Sequence, residues 1–318
     1  MSATKDTARI AFCSLATASH LAAACVALRS FGASAPGASL VLLLVSPDQQ
    51  ATPSGITVLA IQDVVAPQTL AEMRRRYTQA ELCFALKPFL IAALLDAGHE
   101  QVHYVDGDCY AVGRTTPLID DLDVADLLLT PHSLSPIPDD GRTPAALTVL
   151  RGGVFNGGYI GVRNTPQGRA FTQWLAAMTQ RQAHNRPDAG MCGDQRWLDL
   201  APVLFPGLSI CRRPGANVAY WNLHERPLAC TTGGGYTAAG KPLLFFHFSG
   251  FDRGRSQVLS QHQDRHPLIA GDPLHALVQD YLAQFSAGSA PNPQFLRKRG
   301  LRLTLKAMLS RDPAENSR

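Results

Sequence analysis

The chain has 318 residues, a formal net charge of +4, and a composition that is 46% apolar and 17% charged. Those values exclude a disordered chain and give no general surface for a polyanion, so nucleic acid is not an expected partner. The length suits one large α/β domain, and no apolar run approaches the ~18 residues of a membrane-spanning helix. Met1 to Arg9 is polar, without an apolar signal core. The seven cysteines are odd in number and lack CxxC spacing, which fits reduced thiols in a cytosolic chain.

In chain order, Ile10 to Ser14 predicts a strand, and Leu21, Ala22, Cys25, Val26 and Leu28 follow at helical spacing. Ser39 to Val45 is almost continuously apolar, as a parallel strand covered on both faces is, and Ile56 to Ile61 repeats the pattern. This is a βαβ opening, although Ala16 to His20 lacks a glycine-rich nucleotide fingerprint. Thr69 to Gly98 predicts helix in two pieces, the second from about Ala80 to a Gly98 stop. Pro88 is expected to kink or restart that second helix, and Lys87 before it reads as a solvated side chain.

Val102 to Tyr110 is an apolar run that ends in Asp106-Gly107-Asp108, the pattern of a buried strand whose carboxyl end opens into a site. Two close carboxylates stay ionised most easily with a cation between them, and such oxygen ligands suit Mg2+ or Mn2+. An Asp-Gly turn with solvated carboxylates is the plain alternative. Ala125 to Thr130 predicts a further strand, and Pro131 to Pro144 a loop long enough to serve as an acceptor-side wall or a mobile lid. From Gly152 to Val162 a strand is approached through glycines that let another group near the backbone. Asn156 there offers an amide to a hydroxyl-rich ligand, or else takes a left-handed turn position. Thr165-Pro166 starts a helix with Phe171, Trp174, Leu175 and Met178 toward the core, and Asp194 reads as a helix N-cap. Asn217 to Trp221 and Pro242 to Ser249 read as strands, with His247 as a core histidine in the second.

Taken together, Asp106-Gly107-Asp108, Phe155-Asn156-Gly157-Gly158, Asp194-Gln195 and His247-Phe248-Ser249-Gly250 resemble, in that order, the signatures of metal-dependent glycosyltransferases of the GT-A fold. The combination is similar to the retaining transferases related to family 8, which include bacterial lipopolysaccharide galactosyltransferases and glycogenin, and covers about Ile10 to Arg253. The resemblance implies a Rossmann-like mixed central sheet flanked by helices over residues 8–286, with a basic tail over 287–318. It implies a Mn2+ or Mg2+ ion held by Asp106, Asp108 and His247, Asp194 and Gln195 at the reacting sugar, and donor contacts from Lys87, Asn156, Gly157 and Ser14. Arg253 stands where the family has a diphosphate-binding lysine, without the usual Lys-Pro-Trp ending.

The implied reaction is transfer of a sugar from a nucleoside diphosphate, uridine diphosphate by default, to a glycan or lipid-linked acceptor with retention of configuration. A homologue that binds the donor without transferring it is one alternative. A haloacid dehalogenase-type phosphatase is another, though Tyr110 stands where that family usually has Thr and the motif comes late in the chain. In the tail, Arg297, Lys298, Arg299, Arg302, Lys306 and Arg311 lie among leucines with no acid between them. Such a segment can rest on an anionic inner leaflet, or else pack back on the core or stay disordered; the expectation is a cytoplasmic protein, with peripheral contact at the inner membrane face as one reading of the tail.

Overall fold

The structure is a computed structural model in which residues 7–45 and 53–287 are described. The basic segment from residue 288 onward lies outside them. Strand β1 (Ile10–Ala16) leads to α1 (Leu21–Ser34), β2 (Ser39–Leu44) and β3 (Thr57–Ala60), then to α2 (Pro67–Arg76), α3 (Gln79–Asp96) and β4 (Gln101–Val105). The middle of the chain forms β5 (Cys109–Ala111), α4 (Thr116–Asp123), β6 (Leu127–Pro131), α5 (Ala146–Gly152), β7 (Phe155–Arg163) and α6 (Pro166–Gln182). Short elements follow: β8 (Asn185–Arg186), β9 (Met191–Cys192), α7 (Gln195–Leu198), α8 (Ala201–Leu204), β10 (Leu208–Ile210), β11 (Leu228–Cys230), β12 (Tyr236–Ala238), β13 (Lys241–Pro242) and β14 (Phe245–His247), before α9 (Pro273–Ala287).

The central sheet has seven strands in the order β10-β6-β7-β4-β1-β2-β3. β1 pairs in parallel with β2 and β4, while β7 runs antiparallel to both β4 and β6. This is the mixed sheet flanked by helices that the resemblance implies. Every residue of β1 and β4 is buried, as unbroken apolar runs covered on both faces require. The chain leaves β1 first toward β2 and β3 and then returns beyond β1 to β4. The carboxyl ends of β1 and β4 therefore flank the point where strand order reverses, the usual crevice for a ligand in such sheets.

Three local readings differ from the structure. Helix α3 runs unbroken through Pro88, although proline lacks the N–H that would bond the carbonyl four residues back, because packing on both sides carries it. On one flank Thr179 of α6 donates its hydroxyl to the Ala85 carbonyl at 3.1 Å. Asn217 to Trp221 forms no strand, only an isolated bridge between Val218 and Phe246, since Asn217 takes a left-handed φ of 53°. Pro242 to Ser249 splits into β13 and β14, and β14 pairs with β5 outside the central sheet. All seven cysteines are free.

Helix α3 begins with a capping box: Thr78 accepts from the Glu81 N–H at 3.3 Å, and Glu81 accepts from the Thr78 N–H at 2.9 Å. Glu81 also accepts from the Asn185 N–H at 2.9 Å, tying the helix to β8. Burial alone would push the Glu81 carboxyl up, but the Asn185 and Thr78 donors hold it down at about 2. A carboxyl depressed on folding stabilises fully above its ordinary value of 4.5 and loses that contribution as pH falls toward 2. Thr78→Ala is expected to lower stability by about 1 kcal/mol at neutral pH in denaturant titrations. Glu81→Gln is expected to flatten the loss of stability below pH 4.5; an unchanged acid limb would contradict the assignment.

Candidate active site

The register of β7 builds the site. β6 and β7 pair as Leu129 with Ile160 and then as Thr130 with Asn156, so Gly157, Gly158 and Tyr159 bulge out of the β6 ladder. Both glycines are required by what approaches them. A Cβ on Gly157 would meet the Asp194 carboxylate at 2.7 Å, and one on Gly158 would meet the His247 ring at 2.3 Å. The close approach expected from the glycine-rich sequence is thus present, and Asn156 lies in the strand rather than at a left-handed turn.

Lys87 is buried, not solvated. Its ammonium donates to the Gly157 carbonyl at 2.9 Å and lies 3.2 Å from Asp106 and 3.3 Å from Asp194. The rings of Tyr104 and Phe84 stand 5.0 and 5.7 Å from it. Burial disfavours the ammonium, but Asp106 and Asp194 outweigh it and keep Lys87 protonated. One cation does not compensate two carboxylates. Asp194, only 2% exposed, is pushed up to about 6 by burial. Asp194 makes no N-cap hydrogen bond to α7, and its Oδ2 is buried without a partner. Asp194 as a residue lines the cavity of the site, while this oxygen itself is buried against Gly157.

The second cluster forms where β5 and β14 pair. Asp108 Oδ1 lies 3.0 Å from His247 Nε2, and the Asp108 side chain is 38% exposed. A chain of amides fixes the imidazole. His132 Nδ1 donates to the Gly153 carbonyl at 2.8 Å, leaving its Nε2 to accept from Asn156 Nδ2 at 3.3 Å. Asn156 Oδ1 accepts from Asn217 Nδ2 at 2.9 Å, and Asn217 Oδ1 accepts from His247 Nδ1 at 3.2 Å. Burial holds His132 neutral, down at about 4. In the neutral ring of His247 the lone pair then lies on Nε2, facing the carboxylate of Asp108. Two acceptors 3.0 Å apart need a positive charge at the contact, either a proton or a metal ion.

The donor set fits a hard divalent ion. Neighbouring ligands around an octahedral ion at ~2.1 Å stand about 3.0 Å apart, and a carboxylate and an imidazole both suit Mn2+. Among the described residues, the ligand atoms of Asp108, Cys109 and His247 lie within 4.8 Å of one another. Asp106, expected with Asp108 and His247, has the Lys87 ammonium and the Tyr104 hydroxyl on its Oδ1, at 3.2 and 2.7 Å. Burial pushes the Cys109 thiol up, so it remains a neutral, soft group poorly matched to such an ion.

These groups line one cavity of about 900 Å3. Lys87, Asp106, Asp108, Asn156, Asp194, Gln195 and His247 all face it. Two of them have less freedom than the sequence implies. Gln195 Oε1 already accepts from Asn156 at 3.1 Å and Gly157 at 3.0 Å, and its Nε2 donates to the Gly152 carbonyl at 2.7 Å. The Asn156 amide is likewise saturated, with the Gly158 N–H as a further donor to it at 3.0 Å. Both hold the site's framework.

Arg253 and Ser14 are not brought to the cavity. Arg253 is exposed and packs over the Phe285 ring at 4.3 Å, while Ser14 is fully buried in β1 with no partner on its hydroxyl. His132, Tyr220 and Trp221, which the sequence did not single out as site residues, also line the cavity, and the left-handed, fully buried Asn217 bonds Asn156 and His247. The loop from Pro131 to Pro144 contributes His132, Thr143 and Pro144 to the wall. Arg265 donates to the carbonyls of Arg142 and Pro144 at 3.3 and 3.1 Å and pairs with Asp140.

No family model matches the chain. It is 27% identical over 186 residues to the uncharacterized protein YfnF of Bacillus subtilis (strain 168), covering 58% of this chain and 61% of that protein. It is also 27% identical over 208 residues to the uncharacterized protein YfnD of the same organism, covering 62% and 61%. The matches thus span about three fifths of those relatives' length. Among solved structures it is similar to the galactosyltransferase LgtC in complex with donor and acceptor sugar analogs, with a TM-score of 0.48 and 15% identity over 89% of this chain and 98% of that one. It is similar as well to the glycosyltransferase GlyE of Streptococcus pneumoniae TIGR4, with a TM-score of 0.47 and 13% identity over 90% and 66%.

Proposed function

We propose that this chain is a glycosyltransferase that moves a sugar from a nucleoside diphosphate, with uridine as the default base, to a hydroxyl of a glycan or lipid-linked acceptor. The observation that carries the reading is the pairing of two charged clusters in one cavity at the switch point of the sheet. One is the Lys87 group with its orphaned Asp194 oxygen, and the other is the Asp108–His247 pair. The first suits a hydroxyl-rich sugar and the second a cation beside a diphosphate.

Asp108 and His247 would hold the divalent ion, which when bound supplies a Lewis acid for the departing diphosphate. The protein's own part is orientation. Lys87 fixes the Asp194 carboxylate and the Gly157 carbonyl at the cavity wall, where Asp194 would accept from a sugar hydroxyl. Asn156, Asn217 and His132 hold the His247 lone pair toward Asp108. Retention of configuration remains part of the reading. A dehalogenase-type phosphatase is disfavoured, because β4 is flanked by the antiparallel β7.

Incubation with an α-linked uridine diphosphate hexose and Mn2+ is expected to release the diphosphate, and proton NMR to show an α product with an acceptor. Folded Asp108→Asn is expected to lose roughly 10²- to 10³-fold in this turnover. A β product would contradict retention, and donor binding without turnover under any metal would leave only a binding protein.

The pH profile offers a second test. Asp194, raised to about 6, is ionised at neutral pH and protonated below that value, so its acceptor role weakens as pH falls through about 6. Turnover is expected to drop on the acid side of that point in the wild type. Asp194→Asn is expected to be roughly 10²-fold slower and to lack this limb. A wild-type profile flat down to pH 5 would contradict the assignment.

A further inference from the structure

The permanent charges that line the cavity do not balance. Asp106, Asp108, Asp188, Asp194 and Asp264 stand against two cations, Lys87 and Arg151, and both cations are paired, Lys87 with Asp106 and Asp194, and Arg151 with Asp188 at 3.8 Å. A diphosphate brought beside Asp108 and His247 adds further negative charge, and Arg253 is not there to meet it, since it packs over the Phe285 ring. Of the imidazoles on the wall, His132 and His247 are committed to the chain of amides. His262 is exposed on the same wall, and among the described residues its ring has no hydrogen bond or ion pair.

The fold nevertheless holds this ring in a set place. It lies against Gly250, three residues beyond His247: a Cβ on Gly250 would meet the His262 ring at 2.5 Å, and the φ of 71° there favours glycine as well. The Gln261 N–H donates to the Gly250 carbonyl at 3.1 Å, and the His262 N–H donates to the Ser260 hydroxyl at 3.2 Å. Just beyond, the Thr143 N–H donates to the Asp264 carboxylate at 2.7 Å, and the Asp264 N–H to the Thr143 carbonyl at 3.2 Å. Residues 260–264 therefore form a strap stitched to the end of β14 on one side and to the loop after β6 on the other. Tyr220, on the same wall, has its ring 6.4 Å from that of His262.

We propose that His262 is a further binding residue, whose imidazole N–H donates to an oxygen of the donor's diphosphate beside the Asp108–His247 pair. The inference rests on the reading of the cavity as a nucleoside diphosphate site. Imidazole carries an N–H donor whether neutral or charged, and an anionic oxygen is the stronger kind of acceptor. Attachment to the end of β14, the strand that carries His247, selects the phosphates over the sugar, because the strap makes no bond to Lys87, Asp106 or Asp194. An unpartnered donor on a fixed strap is also ready for its ligand without breaking a bond first.

The test is calorimetric titration of the full chain with uridine diphosphate and with uridine, each in the presence of Mn2+. His262→Ala is expected to weaken uridine diphosphate binding roughly tenfold and to leave uridine binding unchanged, with the wild-type melting temperature and the wild-type affinity for Mn2+ alone. His262→Lys, which keeps a cation at the position, is expected to recover most of the loss. Equal diphosphate affinity in wild type and His262→Ala would overturn the proposal. So would an equal loss for uridine, which would place the ring at the nucleoside, or a weakened affinity for Mn2+ alone, which would place it in the metal site. A wild-type chain that binds no uridine diphosphate would bring down the functional reading and this proposal together, whereas binding by wild type that His262→Ala leaves untouched would bring down this proposal only.

Discussion

The site depends on one buried ammonium. Lys87, almost fully enclosed between α3 and the sheet, is held by Asp106, Asp194 and the Gly157 carbonyl, three groups from separate parts of the chain. A charge taken out of water is tolerated only when paired and hydrogen-bonded, so the position of each partner follows from Lys87. Lys87 and the Tyr104 hydroxyl both meet one oxygen of Asp106, while Asp108 stands beside His247.

Around this centre the protein uses side-chain amides as rigid framework. Asn156, Gln195 and Asn217 have their carbonyl oxygens and amide hydrogens engaged by named partners, so they fix direction without being free to follow a ligand. Among the groups with capacity left are Asp194 and the Asp108–His247 contact. A site in which most polar groups are locked and a few are open is prepared for a ligand before it arrives. The bulge at Gly157 and Gly158 makes this compactness feasible, since any side chain there would displace Asp194 or His247.

Much of the fold was legible in the sequence because strands covered on both faces leave unbroken apolar runs. Ile10 to Ser14, Ser39 to Val45 and the run ending at Val105 were recognised for that reason, and the helix after Thr165 by its Thr-Pro start. Asp106, Asp108, Asp194, Gln195 and His247 were singled out together by the family resemblance of their four motifs, and all line one cavity. What periodicity does not report is partnership. Lys87 read as solvated because its two carboxylates lie far away along the chain, and Asp194 read as a cap because its pairing with Lys87 is tertiary. Asn217 read as strand because its left-handed backbone is set by contacts with Thr130, Asn156 and His247. Arg253 was chosen by spacing, and spacing does not tell that Phe285 lies beneath it.

The claim that a buried Lys87 organises the site has a direct thermodynamic measure in a double-mutant cycle of Lys87→Met and Asp194→Asn, followed by denaturant unfolding at neutral pH. Lys87→Met leaves two carboxylates without their cation and is predicted to cost ~3–5 kcal/mol. Neutralising Asp194 as well removes one of those stranded charges, so the double variant is predicted to be less destabilised than the sum of the single variants by about 1–3 kcal/mol. Additive effects within ~0.5 kcal/mol would mean that Lys87 and Asp194 do not hold each other in place, and would contradict the account.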